Sequence, residues 1–531
     1  MPRTERTLTL DEPALDARCR PRDGLVLERL GCEEATAEGG RRLVFEGVDG
    51  PCPRYRRTVE IAPTPAADGR RTAVEQLDYD LPVPFWGWLV RPVFGFELRR
   101  RGDRRGQPWW APPQRLQPHQ VDALCRLVIL AICSGYVGTL LSQLTTFAGR
   151  EFGAGVDAQA AAQAATRIGV LVALVGAFAA DRIGRRRTLL VGLVGACLVT
   201  ALTGLATGLV AFAAVQVVAR GLTTGSDVVR AVIVAEVMPA GARAYAISLS
   251  AMCAGLGSGM AVWLLPLADL DERAWRLLFG LGAVFAPLAW LAGRGLQESG
   301  RFVAHRHDQR PQRLGAHRGR LALLAASALL TTLFAAPASQ LQNEYLRTDR
   351  GFSAGAITAF TLLTSTPAGV AVFFGGRLAD VYGRRVIGAI GLVGGAAGIT
   401  VSYTAGGATL WGGAVAGTLF GGLVVPTLVI YGPELFPTRL RGRANGVITT
   451  AGVLGSVCGL LLVGNLADRF GFGAAMATVA CGPVLVAVLV LTRYPETAQR
   501  ELEELNPSDA AAGPAPDRSP IHPGDGADRY G

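Results

Sequence analysis

Acids, glycines and arginines recur along this chain at one spacing. Asp181, Gly184, Arg185 and Arg186 return 199 residues later as Asp380, Gly383, Arg384 and Arg385. Glu236, Pro239 and Arg243 return after 198 residues as Glu434, Pro437 and Arg441, and Glu298-Ser299 returns as Glu496-Thr497. Carboxylates set among guanidinium groups make and break forked, charge-assisted hydrogen bonds. That is the chemistry of a reversible clasp rather than of turnover. Exposed pairs are worth about 0–1 kcal/mol each, but a network of them can bias two states. Asp181 and Asp380 can face a helix N-terminus or accept from arginine. Gly184 and Gly383 permit a tight turn. Arg185, Arg186, Arg384 and Arg385 are expected to fork onto Glu236, Glu298, Glu434 and Glu496, with Arg243, Arg301 and Arg441 in the same set. The competing reading is that these charges only fix topology.

A second group of ionisable residues lies in apolar sequence, where each costs about 2.5–3.5 kcal/mol and marks a candidate function. Asp227 precedes Glu236 by nine residues, about 13 Å along a helix, and Arg230 is one turn away. Asp227 is expected to carry a coupling proton, or else to form a permanent ion pair with Arg230. Glu344 is a further proton candidate. Arg167 and Arg220 can attract an anion or snorkel to an interface. Tyr136, Gln143, Gln340, Asn343 and Tyr431 are candidate solute-lining residues, although polar side chains also serve to bond helices together. No Ser-His-Asp, Cys-His or metal constellation stands out. His119, His305, His307, His317 and His522 all fall outside the apolar stretches, and the nine cysteines form no C-x-x-C. No catalysis, metal or cofactor is expected. Lysine is absent, which excludes a phosphate-binding G-x-x-x-x-G-K-[ST] loop and ATP-driven work by this chain.

The elements that position these residues are apolar. Half of the 531 residues are hydrophobic and 18% are charged, and mean hydropathy is +0.32; a multi-spanning membrane protein looks like this. Twelve apolar stretches follow one another, at 122–147, 160–180, 188–206, 208–234, 244–267, 275–294, 321–345, 354–378, 386–404, 409–432, 444–467 and 473–493. Each is read as a helix, because a lone span must satisfy its own backbone in lipid. Arginines crowd the loops between spans 2–3, 4–5, 6–7, 8–9 and 10–11, and are absent from the 3–4 and 9–10 loops. The positive-inside rule then puts both termini and the repeated motifs in the cytoplasm of a cell-membrane protein. The +10 net charge lies in short loops rather than on one face, so no nucleic-acid partner is expected.

Residues 1–84 read as a small β-containing cytoplasmic domain. Arg54 to Ile61 and Val74 to Leu81 alternate like strands, with Asp68-Gly69 as a turn. The first 30 residues contain no apolar signal core. Around Tyr55 and Leu77 the pattern weakly resembles START-like lipid-binding domains; a family-specific extension without ligand is the alternative. Residues 85–118 interleave Phe85, Trp86, Trp88, Phe94, Phe96, Trp109 and Trp110 with arginine, as an element lying on an inner leaflet would. Residues 119–294 and 321–505 form two six-helix halves joined by a cytoplasmic loop at 295–320. Residues 506–531 are expected to be a disordered tail.

Gly176 to Arg186 and Gly376 to Arg385 resemble the loop signature of the major facilitator superfamily, approximately G-x-L-a-D-x-x-G-R-R. Glu236-Val-Met-Pro239, Trp275-Arg276, Glu298-Ser299-Gly300-Arg301, Pro433-Glu434-Leu-Phe-Pro437-Thr-Arg-Leu-Arg441 and Pro495-Glu496-Thr497 are similar to its sugar-porter and metabolite:proton branch. The resemblance covers about residues 120–505. It departs at Gln297, Gly300 and Ala498, in a loose Arg220-Gly-Leu-Thr-Thr-Gly225, and in a first span without a central acid. It implies an all-α fold of twelve transmembrane helices in two halves, whose clasp ties them together on the cytoplasmic side. The expected function is secondary transport of a small organic solute by alternating access, coupled to protons, in a monomer surrounded by lipid. Drug or metabolite export, and a non-transporting membrane sensor built on the N-terminal domain, are the alternatives.

Overall fold

The computed structural model describes residues 3–36, 39–64, 70–100, 106–108, 110–154, 162, 165–305 and 314–510. It begins with strand β1 (Arg3–Leu10) and helix α1 (Glu12–Arg18), followed by β2 (Leu27–Ala35), β3 (Arg41–Asp49), β4 (Tyr55–Ile61) and β5 (Arg71–Tyr79). The five strands form one antiparallel sheet in the order β1-β5-β4-β3-β2. The two strands expected from alternation are neighbours here, with Tyr55 opposite Tyr79; Asp68 and Gly69 lie outside the described residues. Fully buried Arg57 is held by Glu28 through paired bonds of 2.8 and 2.6 Å. A cavity beside Arg22 and Tyr55 in this unit is about 20 Å³, far short of the 300–1,000 Å³ of small-molecule sites.

Helix α2 (Gly87–Arg100) docks Phe94 and Leu98 against Leu25 and Tyr79 of the sheet unit. It leaves Trp88, Val93 and Phe96 exposed. The next segment ties this unit to the helical bundle. Arg115 bonds the Gly24 carbonyl at 2.9 Å and pairs with Asp23, and Gln117 bonds Asp49 at 2.5 Å. On its other side Gln114 accepts from Gly241 N–H at 2.9 Å, and the Pro108 carbonyl accepts from Arg377 at 2.7 Å.

Long helices build the rest: α3 (Pro118–Glu151), α4 (Val170–Ile183), α5 (Arg185–Leu202), α6 (Leu209–Val237), α7 (Arg243–Trp263), α8 (Trp275–Arg294), α9 (Arg318–Gln340), α10 (Ala354–Tyr382), α11 (Arg384–Thr404), α12 (Gly407–Leu428), α13 (Arg441–Val479) and α14 (Cys481–Arg493). Among the described residues, 10 segments are long and apolar enough to cross a membrane. The last, Thr438–Arg493, runs through α13 and α14 and is broken at Gly471, where φ is +81°. Helix α4 has 14 residues and is entered through a 3-10 turn at Arg167–Gly169.

The first half packs α3 on α7, α5 on α6 and α8, and α4 on α6. The second packs α9 on α13, α11 on α12, and α10 on α12. Among the described residues the halves meet chiefly at α4 against α13 and at α7 against α10. Small residues allow both approaches. A Cβ on Gly442 would lie 2.5 Å from the Ala177 carbonyl, and one on Gly376 would lie 2.4 Å from that of Ala244.

Candidate functional site

The repeated motifs gather at one end of the bundle, where the halves touch. Gly184 joins α4 to α5 at φ +125°, and Gly383 joins α10 to α11 at φ +95°. With ψ of 151° and 141°, this is backbone that essentially only glycine adopts. Space gives a second reason. A Cβ on Gly184 would sit 2.6 Å from Glu298 Oε2, and one on Gly383 2.8 Å from Glu496 Oε2. These two carboxylates cap α5 and α11. Glu298 accepts from the backbone N–H of Arg185 at 2.9 Å and of Arg186 at 3.2 Å. Glu496 accepts from those of Arg384 at 3.0 Å and Arg385 at 3.2 Å. An acid there satisfies orphan donors and faces the helix dipole.

The forks expected between Arg186 or Arg385 and these glutamates do not form, because the carboxylates are occupied by backbone donors. Arg186 turns to the Arg294 carbonyl at 2.7 Å, at the C-terminus of α8. Arg385 turns to the carbonyls of Val490 (3.3 Å) and Leu491 in α14. Helix C-termini offer unpaired acceptors to such cations.

The other motif acids reach across the halves. Asp181 accepts from Gly442 N–H at 3.0 Å and Arg443 N–H at 2.8 Å, in the first turn of α13. Asp380 accepts from Tyr245 N–H at 3.0 Å, in the first turn of α7. Glu236 binds Arg441 at 3.0 Å and Glu434 binds Arg243 at 3.4 Å. Each acid also holds an arginine of its own half: Arg185 lies 3.3 Å from Asp181 and 3.5 Å from Glu236, while Arg384 bonds Asp380 at 3.0 Å and pairs with Glu434. The side chains of Arg185, Arg243, Arg384, Arg441, Asp380 and Glu434 are fully buried. Charges packed this way persist only when paired; removing one partner of a buried pair costs about 3–5 kcal/mol.

One part of this network was not anticipated. Residues 500–509 lie across the clasp. Arg243 bonds the Arg500 carbonyl at 2.8 Å and Glu501 at 3.1 Å, and Arg301 bonds Glu503 at 2.8 Å. Asn506 donates to the Glu434 carbonyl at 2.7 Å. Asp509 accepts from Thr438 N–H at 3.0 Å and from Arg441 at 3.2 Å. The expected disordered tail therefore starts too early at 506: Pro507–Ala510 is a helical turn with Asp509 buried. Residues 511–531 lie outside the described residues. The acids at 501, 503, 504 and 509, following arginine-rich loops, were the available signal.

Within the bundle, Asp227 accepts from Ser134 at 2.7 Å and pairs with Arg230 at 3.0 Å. Its side chain is 43% exposed and that of Arg230 12%. Glu344 and Asn343 are not in a spanning helix. They lie exposed in the short helix Gln342–Thr348, because α9 ends at Gln340. Tyr136 is not a lining residue: it is fully buried, stacks on Phe285 at 4.4 Å and donates to the Leu278 carbonyl at 3.0 Å. Tyr431 is likewise buried, edge-on to Tyr494 at 4.8 Å. Gln143 is half-buried, and Gln340 accepts from Arg167 at 2.9 Å. A cavity of about 570 Å³ lies inside the second half, among α9, α11, α12, α13 and α14.

Residues 127–341 and 321–520 match the model of the Major Facilitator Superfamily. The fold superposes on the proton:xylose symporter XylE bound to 6-bromo-6-deoxy-D-glucose with a TM-score of 0.64 at 17% identity, covering 73% of this chain and 99% of that one. It superposes on the human organic anion transporter MFSD10 with a TM-score of 0.58 at 16% identity, covering 70% and 98%. At these identities the likeness is one of fold. In sequence, the chain is 33% identical over 150 residues to a probable actinorhodin transporter of Streptomyces coelicolor, 27% of this chain and 26% of that protein. It is 38% identical over 77 residues to the putative niacin/nicotinamide transporter NiaP of Bacillus subtilis, 14% of this chain and 19% of that protein. The stretches matched in these two relatives thus span about a quarter of their lengths or less. The family match runs over most of the chain and takes in both copies of the charged motif, so this multi-pass membrane protein belongs to the Major Facilitator Superfamily, whose members transport small solutes.

Proposed function

We propose that this protein moves a small organic solute by alternating access, coupled to protons, as a monomer in the cell membrane. The observation that carries this is the pairwise clasp. Asp181 caps α13 and Asp380 caps α7, each across the boundary between halves, and Glu236–Arg441 and Glu434–Arg243 cross it too. All of these bonds break together if the halves part at that end, which is what a two-state gate requires. Counting the last apolar segment as two, and α4 with the apolar sequence before it as one more, the ten long segments become twelve spans in this reading. The arginine-rich loops support a cytoplasmic side for the clasp, the β unit and both termini. The conformer is then closed inward. The exposed Trp88, Val93 and Phe96 of α2 suit headgroup depth on the inner leaflet. Asp227, held by Ser134 and partly exposed, is the proton carrier in this reading. Export is the second reading, favoured by the likeness to a probable actinorhodin transporter.

The test is accumulation in proteoliposomes of a solute found by thermal stabilisation. Accumulation under an inward proton gradient is expected to collapse with a protonophore and in Asp227→Asn. Uptake that ignores both would overturn the coupling, and the absence of flux for every stabilising solute would overturn transport.

A further inference from the structure

Arg167 and Arg220 of the first half make no ion pair with a carboxylate among the described residues. Arg230 is paired with Asp227, but neither Arg220, earlier on α6, nor Arg167, at the start of the run into α4, makes an ion pair. Arg167 reaches into the second half, donating to Ser456 Oγ at 2.6 Å and to Gln340 Oε1 at 2.9 Å. Arg220 donates to the Gly138 carbonyl at 2.6 Å and is otherwise exposed. Arg220 rises beside the same turn, since a Cβ on Gly169, two residues after Arg167, would lie 3.5 Å from Arg220 Cβ, and the two cations therefore enter one space. Because Arg167 bonds the opposite half, that space is the cleft between halves. Snorkelling does not describe it, since a snorkelling arginine runs out to the headgroups.

A pair of cations with no acid bonded to them among the described residues lacks a local counter-charge. Each guanidinium has five N–H donors, and the bonds above leave Nε of both groups and one terminal nitrogen of Arg220 free among the described residues. Next to them the cavity of the second half begins: Ser339 and Gln342 line it and flank Gln340. Its walls include Phe334, Leu392, Val425 and Ile448, with the hydroxyls of Thr332 and Thr418, and no Asp, Glu, Arg or His. Its volume of about 570 Å³ falls within the range of small-molecule sites. A cationic mouth on an apolar chamber selects a particular kind of molecule.

We propose that the solute is an amphipathic organic acid, its carboxylate held between Arg167 and Arg220 and its apolar body in the cavity among α9, α11, α12 and α13. The proposal rests on the transport reading for its biological sense, but the site binds whether or not transport occurs. Asp227 follows Arg220 by seven residues, two turns along the same face of α6. The acid thus enters where the proton carrier is within about 10 Å, which suits joint passage of an anion and a proton.

The test is the melting temperature of the purified full-length protein in detergent. Benzoate, phenylacetate and 2-naphthoate are each compared with the corresponding neutral amide, and inorganic phosphate supplies charge without an apolar body. The acids are expected to stabilise the wild type at concentrations at least about tenfold lower than their amides, since a charged group leaving a cationic site unpaired costs more than 1.4 kcal/mol; phosphate is expected to do little. Arg220→Gln and Arg167→Gln should abolish the preference for acids, and Arg220→Lys should keep part of it. Amides acting as well as acids, phosphate acting as well as either, no stabilisation by any of the three acids, or acid preference surviving both glutamine variants would overturn the proposal. If a variant fails to fold, the wild-type acid-against-amide comparison decides. Acid-specific stabilisation without flux in liposomes would sink transport and leave this site; flux of a neutral solute without acid stabilisation would do the reverse.

Discussion

Replacing Asp181 by asparagine should open the clasp without unfolding either half. The aspartate accepts two backbone N–H groups from the opposite half, at 3.0 and 2.8 Å. Asparagine keeps one acceptor oxygen and loses the charge. A hydrogen bond to a charged group is worth about 1.5–3 kcal/mol and a neutral one about 0.5–1.5 kcal/mol. One charged bond is lost and the other becomes neutral, and water partly compensates the freed N–H groups. A net loss of about 2 kcal/mol in the clasped state alone shifts the equilibrium toward separation by about 30-fold. Spin labels at Ile183→Cys and Tyr382→Cys report this, since both are exposed residues ending α4 and α10. Pulsed-resonance distances should show a separated population raised by that factor in Asp181→Asn, and similarly in Asp380→Asn. Glu298→Gln is the control. Its bonds to Arg185, Arg186 and Ser299 N–H lie within the first half and its flanking loop, so it should lower melting temperature without altering the distances. Unchanged distributions in both aspartate variants, or equal separation in Glu298→Gln, would refute the reasoning.

Other consequences follow from single contacts. Gly184→Ala and Gly383→Ala should each cost about 1–3 kcal/mol through strained backbone, plus displacement of Glu298 or Glu496, and appear as lowered melting temperatures. A stop codon after Leu505 removes Asn506 and Asp509 from Glu434, Thr438 and Arg441 and should destabilise the clasp, whereas a stop after Ala510 should not; melting curves of the two truncations decide. Gln114→Ala with Arg377→Ala should loosen the segment that ties the β unit to both halves, read as faster proteolysis between residues 100 and 118 with the bundle intact. At the other end, the hydrogen bond from Arg276, helped by that from Trp275, holds the Glu151 carboxyl below its ordinary value of 4.5. A depressed acid contributes stability above its unfolded pKa that is lost as pH falls through the folded one. The fluorescence of buried Trp275 should therefore stay constant down to about pH 4.5, change below it, and lose that acid transition in Glu151→Gln.

The duplicated acids and arginines were legible because equal offsets survive in sequence, and they do meet in space. Their partners were less legible. Charge suggested that Glu298 would seek Arg186, but the helix start beside Gly184 offers backbone donors closer at hand. The tail differs from expectation for a related reason: its composition is that of a disordered segment, while Asp509 finds a buried arginine and the Thr438 N–H. Tyr136 and Tyr431 looked like pore residues because hydroxyls in apolar sequence are conspicuous, yet both fill packing space between helices. Glu344 was assigned to a span because hydropathy does not register the break after Gln340. What Arg167 does could not be read from its own helix, since its partners lie 173 and 289 residues away.

Alternating access requires the clasp to open during every cycle, and a reversible cross-link tests that directly. A Cβ on Gly446 lies 2.9 Å from Ala177 Cβ across the boundary of the halves, about 1 Å inside the usual disulfide separation. The measurement is flux into proteoliposomes by Ala177→Cys with Gly446→Cys, in a background with exposed Cys458 and Cys481 changed to serine. Oxidation should stop flux and reduction should restore it. Flux that continues through a fully formed cross-link would contradict the gate and the transport mechanism built on it.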